Sequence, residues 1–116
     1  MKDCIFCKII RKEIPTDFLY EDDFVAAFRD LRPIAPVHVL VIPKKHIGSV
    51  TEIDGGDELL MGKLITTAQK IADDLRISEK GYKLLIRVGE HGGQEVGHIH
   101  LHLIGGAPLK EDIRPL

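Results

Sequence analysis

The chain has no run of ~18 or more uninterrupted apolar residues, which excludes an apolar membrane-spanning helix. Its start, Met1-Lys2-Asp3-Cys4, has no apolar stretch following a basic one, so no secretory leader is expected and the cytoplasm is the expected location. An excess of one charge is missing too. The 16 Lys and Arg face 18 Asp and Glu for a net of −2, and no basic cluster stands out, which argues against a nucleic-acid polymer as partner. A mononucleotide stays compatible, because one phosphate can be held by backbone N–H groups and one or two side chains. Repeats, low-complexity tracts and long linkers are absent as well. With 116 residues the expectation is one continuous domain, 1–116, with one core and one site.

Cysteine is scarce: Cys4 and Cys7 are the only two. A pair separated by two residues is either half of a metal site or a redox dithiol. A thioredoxin-type dithiol follows a strand that launches its helix, and only three residues precede Cys4, so metal is the favoured reading.

The periodicity of the chain then gives the elements. Ile5 to Arg11 suits a short helix with Ile5, Ile9 and Phe6 inward, stopped before Pro15. Phe18 to Glu21 and Phe24 to Arg29 suit two antiparallel strands joined across Asp22-Asp23, and the almost wholly apolar Val37 to Ile42 a central strand buried on both faces. Between Asp57 and Leu75, Leu60, Leu64, Ala68, Ile71 and Leu75 recur at helical spacing, with Leu59, Ile65 and Ala72 widening the stripe and Asp54 or Asp57 available as cap. Tyr82 to Val88 reads as a strand, Gly89 to Glu95 as a Gly-rich loop, and Val96 to Ile104 as a last strand. The expected fold is α+β: a five-stranded, mainly antiparallel sheet with one long helix and a short N-terminal helix.

The chemistry is concentrated in that last strand. Strand side chains alternate, so His98, His100 and His102 share one face while Ile99, Leu101 and Leu103 share the other. A solvent-facing polar face would normally carry Thr, Lys, Glu and Ser rather than three imidazoles. Same-face neighbours lie ~6.5–7 Å apart, so a single ion bound by all three is awkward and divided roles are the better reading.

The run His98-Ile99-His100-Leu101-His102-Leu103-Ile104 resembles the signature of the histidine-triad (HIT) family of nucleotide hydrolases and transferases. Asp30 through His46 and Gly92-Gly93-Gln94-Glu95-Val96 are similar to its Hint branch, so the resemblance spans nearly the whole chain. It implies a HIT-like fold and a hydrolase that cleaves a P–N or similar bond of purine nucleoside 5′-phosphoramidates. His100 would attack phosphorus and form a nucleotidyl-histidine, oriented through the backbone carbonyl of His98. His102 and His38 would contact phosphate oxygens or the leaving atom. Gly93 and Gln94 in the Gly-rich turn would offer N–H groups to the phosphate, Asp30 would accept the ribose hydroxyls, and Ile5, Phe6, Ile9, Phe28, Leu31 and Leu40 would wall the base. Two positions depart from animal relatives. Glu95 replaces a phosphate-binding serine and is expected to point away, and Arg87 replaces an asparagine, which would shift the preference among leaving groups or nucleotides. The tail, Ala107 to Leu116, lacks a tryptophan-containing ending. The resemblance further implies a structural zinc on Cys4, Cys7, His46 and His98, none of it needed for catalysis, and a homodimer in which two five-stranded sheets join. The alternative is a zinc-stabilised nucleotide-binding or adaptor module with incidental turnover.

Overall fold

The computed structural model describes residues 4–116, in which five strands form one antiparallel sheet of order β1-β2-β3-β5-β4. In chain order the elements are α1 (Ile5–Ile10), β1 (Phe18–Glu21), β2 (Val25–Arg29), β3 (Val37–Pro43), two 3-10 turns (Val50–Glu52 and Gly55–Asp57), α2 (Glu58–Asp74), β4 (Tyr82–Leu85) and β5 (Leu101–Gly105). No described helix is long and apolar enough to cross a membrane.

The β1–β2 hairpin forms around Asp22, whose carboxylate accepts the N–H groups of Phe24 and Val25 and the Tyr20 hydroxyl. A short acidic side chain that satisfies the turn's own amides is why an Asp-Asp pair can join two strands here. β3 is buried on both faces, as its unbroken apolar run implies. Val39 and Val41 join Val25, Ala27, Leu101 and Leu103 beneath α2, whereas Leu40 and Ile42 join Ala26 and Phe28 beneath α1.

The long helix presents Leu64, Ala68, Ile71 and Ala72 to the sheet. Leu59 and Ile65 do not widen that stripe, contrary to the sequence pattern, and are 91% and 54% exposed. The sheet meets only about 100° of a helix surface, and these two positions fall outside that arc. The Asp54 and Asp57 carboxylates form a reciprocal capping box on the turn that leads into α2. In α1, Phe6, Cys7 and Ile9 are buried, but Ile5 is 46% exposed and faces outward rather than inward.

The last strand is shorter than its periodicity suggests. β5 begins at Leu101, and Val96 to His100 run beside the sheet without joining its ladder. The β3–β5 register ends with Val41 opposite Leu101, and continued by two residues it would set Ile99 against Pro43, which has no N–H to donate. On the other side β4 ends at Leu85, opposite His102, rather than continuing to Val88. The irregular segment is held instead by Ile99 N–H donating to the Ile47 carbonyl and His98 N–H to the Val96 carbonyl. Alternation survives without the ladder: Ile99, Leu101 and Leu103 all enter the α2-facing core, which turns the three histidines to the opposite side.

Candidate active site and metal group

Four imidazoles meet on the α1 side of the sheet, His38 from β3, His102 from β5, and His98 and His100 from the segment before β5, each no more than 6% exposed. Buried imidazoles need partners, and their partners fix which nitrogen carries the proton.

His100 Nδ1 lies 2.8 Å from the His98 carbonyl oxygen, which can only accept, so Nδ1 bears the hydrogen and Nε2 keeps its lone pair. Phe6 packs edge-on against this ring at 5.1 Å between centroids and fixes its tilt. His38 Nδ1 accepts from the backbone N–H of Ile34, 3.2 Å away. Its hydrogen therefore sits on Nε2 and is donated to His102 Nδ1, 2.9 Å away. His102 in turn carries its hydrogen on Nε2. One backbone amide thus sets two tautomers in series.

Burial lowers the pKa of His38, a nearby Asp30 opposing the shift and Arg87 adding to it. His102 is pushed down to about 4, first by burial and then by the neighbouring His100, Arg87 and His38. Both rings are therefore neutral near pH 7, as the hydrogen-bond chain requires. Asp30 places Oδ2 3.5 Å from His38 Nε2, and its other oxygen accepts the Arg32 N–H. Asp30, His38 and His102 bring three ligand-type atoms within 4.8 Å of one another. The His102 Nδ1 lone pair is already occupied by the His38 hydrogen, so this trio works as a hydrogen-bond chain.

His98 is fully buried and faces a second group. Its Nε2 hydrogen is donated to the Pro43 carbonyl at 2.8 Å, which leaves Nδ1 bare and directed at Cys4 Sγ (3.4 Å), Cys7 Sγ (3.7 Å) and His46 Nδ1 (3.1 Å). Cys7 Sγ is 3.3 Å from His46 Nδ1. Bond lengths of ~2.0–2.1 Å to nitrogen and ~2.3 Å to sulfur place tetrahedral ligands ~3.3–3.8 Å apart, so these separations lie within about 0.2 Å of the edges of a tetrahedron around a zinc-sized ion. Burial is the main reason the Cys7 thiol is raised, and a cation among the four atoms would offset that cost. The Pro43 carbonyl is the outer partner that fixes the tautomer in which His98 Nδ1 could ligate a metal.

The Gly-rich loop departs from expectation. Gly93 N–H donates to the Glu90 carbonyl and Gln94 N–H to the Gly89 carbonyl, so both amides are engaged in the turn itself. The Gln94 side chain is engaged as well, accepting from Gly89 N–H and donating to the carbonyls of Gly48 and Val96. This residue ties the loop to the segment after His46. Glu95 is exposed.

Among the apolar candidates, Phe6, Ile9, Phe28 and Leu40 form one buried cluster beside the imidazoles. Ile5 is half exposed and Leu31 is 96% exposed, so neither joins it. Arg87 is half-buried, with one guanidinium nitrogen 3.4 Å from His102 Nε2. Sequence reasoning missed Ile34, Pro43 and Gly48, which act only through backbone atoms and leave no side-chain signal.

The depressed imidazoles generate a pH dependence. An unfolded histidine titrates near 6.5, so below that pH the unfolded chain takes up a proton that native His102 refuses until about 4. His38 acts in the same direction. Stability should fall as pH drops from about 6.5 to about 4, and His102→Gln should flatten that slope. Thermal melts of both proteins across this window check it, and parallel slopes would contradict it.

Comparison with known proteins agrees with this geometry. The HIT domain family model matches residues 11–109. The chain is 51% identical over 108 residues to the purine nucleoside phosphoramidase of Escherichia coli K12, covering 93% of this chain and 91% of that protein. Among solved structures, a HIT family hydrolase from Legionella pneumophila superposes with a TM-score of 0.93 at 45% identity, covering 97% of this chain and all of that one (100%). A HIT family hydrolase from Clostridium thermocellum gives 0.94 at 45% identity, covering 98% and 99%. The chain belongs to the histidine-triad (HIT) family.

Proposed function

We propose that this protein is a hydrolase of purine nucleoside 5′-phosphoramidates, in which His100 attacks the α-phosphorus. The observation that carries the reading is the committed Nδ1–H of His100, which leaves Nε2 bare on a buried, immobilised ring. A neutral imidazole with a fixed tautomer is a competent nucleophile near pH 7.

In the first step the Nε2 lone pair forms a bond to phosphorus. The P–N bond breaks, and its electron pair leaves with the amine, which takes a proton from solvent. The positive charge that develops on the imidazole is stabilised through Nδ1–H on the His98 carbonyl. In the second step water attacks phosphorus, the imidazole departs neutral, and a nucleoside monophosphate is released. His102, with its hydrogen on Nε2, donates to a phosphate oxygen or to the leaving atom, and His38 holds it in that tautomer. Asp30 accepts ribose hydroxyls, and Phe6, Ile9, Phe28 and Leu40 form the wall against the base.

Zinc is the proposed resident of the four-atom group, held by Cys4, Cys7, His46 and His98. It would crosslink the N-terminal segment to the segment bearing His100 and leave no coordination position for a substrate. The homodimer is proposed on different grounds: β1 and β4 are the sheet edges, and an open edge is covered by strand pairing with a second copy.

Three measurements test these assignments. Wild type should cleave adenosine 5′-phosphoramidate and His100→Ala should be slower by about 10³-fold or more, with a slow substrate leaving a nucleotide on His100 by mass spectrometry. If both proteins are inert while AMP still binds, the protein is a binding or adaptor module. Metal analysis should find about one equivalent of zinc per chain, lost in Cys4→Ser or Cys7→Ser. No zinc in protein prepared without chelator would remove the metal assignment and leave the catalytic one. Light scattering at micromolar concentration should give a dimer, and a monomer would refute the pairing.

A further inference from the structure

Arg87 lies just beyond β4, and its side chain passes beside Gly93 of the loop. A Cβ at Gly93 would sit 3.5 Å from Arg87 Cδ and 3.6 Å from Nε, and Gly93 has φ +77, so the bare turn closes along the arginine stem. This fixes where the guanidinium can reach.

One of its terminal nitrogens, Nη1, is 3.4 Å from His102 Nε2. That imidazole nitrogen carries a hydrogen, because its other nitrogen is occupied by His38. Two donors therefore converge with no protein acceptor between them. Donors placed so close without an acceptor gain a hydrogen bond each when an oxyanion seats against both.

Nothing else among the described residues satisfies the arginine. It forms no salt bridge there, every ion pair among the described residues belonging to another basic group. Asp30 lies at the junction of His38 and His102, 3.5 Å from His38 Nε2, and forms no ion pair with Arg87. The loop's Gly93 and Gln94 amides point into their own turn, so they do not compete for the same anion.

A guanidinium has five N–H donors in a planar fork. A phosphoryl oxygen shared with His102 uses one edge and leaves the other matched to a bidentate acid group. We propose that Arg87 binds an oxyanion carried by the leaving group, beside the bond that is cleaved. The chemistry is shared by two sources: the carboxylate of an amino-acid amine in a phosphoramidate, and the further phosphate of a nucleoside diphosphate. The proposal rests on the reading that the phosphoryl group lies in front of His100 and His102. It goes beyond that reading by naming a charge on the far side of the scissile bond.

The experiment compares pairs that differ by one charge, in wild type, Arg87→Lys and Arg87→Gln. The first pair is the glycine and glycinamide phosphoramidates of AMP, read as kcat/KM. The second is ADP against AMP, read as affinity by calorimetry. A ratio taken within one variant is insensitive to the fraction of that protein that folds. Wild type should favour the charged member by about tenfold or more in at least one pair. That ratio should fall to near unity in Arg87→Gln and be intermediate in Arg87→Lys, which keeps the charge and loses the fork. A response in the glycine pair alone assigns an amino-acid leaving group, and one in the ADP pair alone assigns a phosphate. A protein that cleaves neither phosphoramidate yet binds ADP over AMP through Arg87 retains the anion site and refutes the catalytic reading. Wild type with no charge preference in either pair, or a preference that survives in Arg87→Gln, overturns the proposal.

Discussion

The bond from His100 Nδ1–H to the His98 carbonyl is the constraint on which the site depends, and residue 98 is held from three directions to supply it. Its N–H donates to Val96, its Nε2 hydrogen to Pro43, and its Nδ1 faces the two cysteines and His46. A carbonyl in a regular ladder would be shared with the adjacent strand. Here residue 98 lies outside the ladder, because β5 begins at Leu101 and β4 ends at Leu85, so the carbonyl is available to a side chain two residues on. The irregularity is what leaves the His100 ring with a hydrogen on Nδ1 and a bare Nε2.

The same residue links the two groups of the site. Its side chain belongs to the metal-type tetrahedron and its main chain to the imidazole row. Ile99 N–H bonded to the Ile47 carbonyl brings His46 to the same place, and Gln94 fastens the Gly-rich loop to Gly48. The cysteines and the ring of His100 are thus joined through residue 98.

The electrostatics follow from burial. Removing an imidazole from water penalises its charged form, and the row is stable only because each neutral ring finds a donor or acceptor of the right kind. Apart from the outward-facing Nε2 atoms of His100 and His102, no buried side-chain nitrogen or oxygen among the described residues lacks a partner. The chain of hydrogens from Ile34 through His38 to His102 has one direction, so His102 presents a donor outward while His100 presents a lone pair. An acceptor and a donor thus stand side by side, with the fixed positive charge of Arg87 3.4 Å from the donor.

The alternation of His98, Ile99, His100, Leu101, His102 and Leu103 is a local property. It fixed one polar and one apolar side even where the strand itself was not formed, because side-chain direction depends only on extended backbone. The apolar run of β3, the turn at Asp22 and the Leu64 to Ala72 stripe of α2 were legible for the same reason. Exposure of Ile5, Leu59 and Ile65, the early end of β4, the late start of β5, and the inward use of the Gly93 and Gln94 amides were not. Each depends on what lies opposite: how much of a helix the sheet can cover, whether the facing residue has an N–H, which carbonyl a loop closes upon. The sequence by itself determined which residue types share a face. Only the tertiary structure decided which nitrogen of each histidine carries its hydrogen, because that choice belongs to backbone groups of Ile34, Pro43 and His98 brought near by the fold.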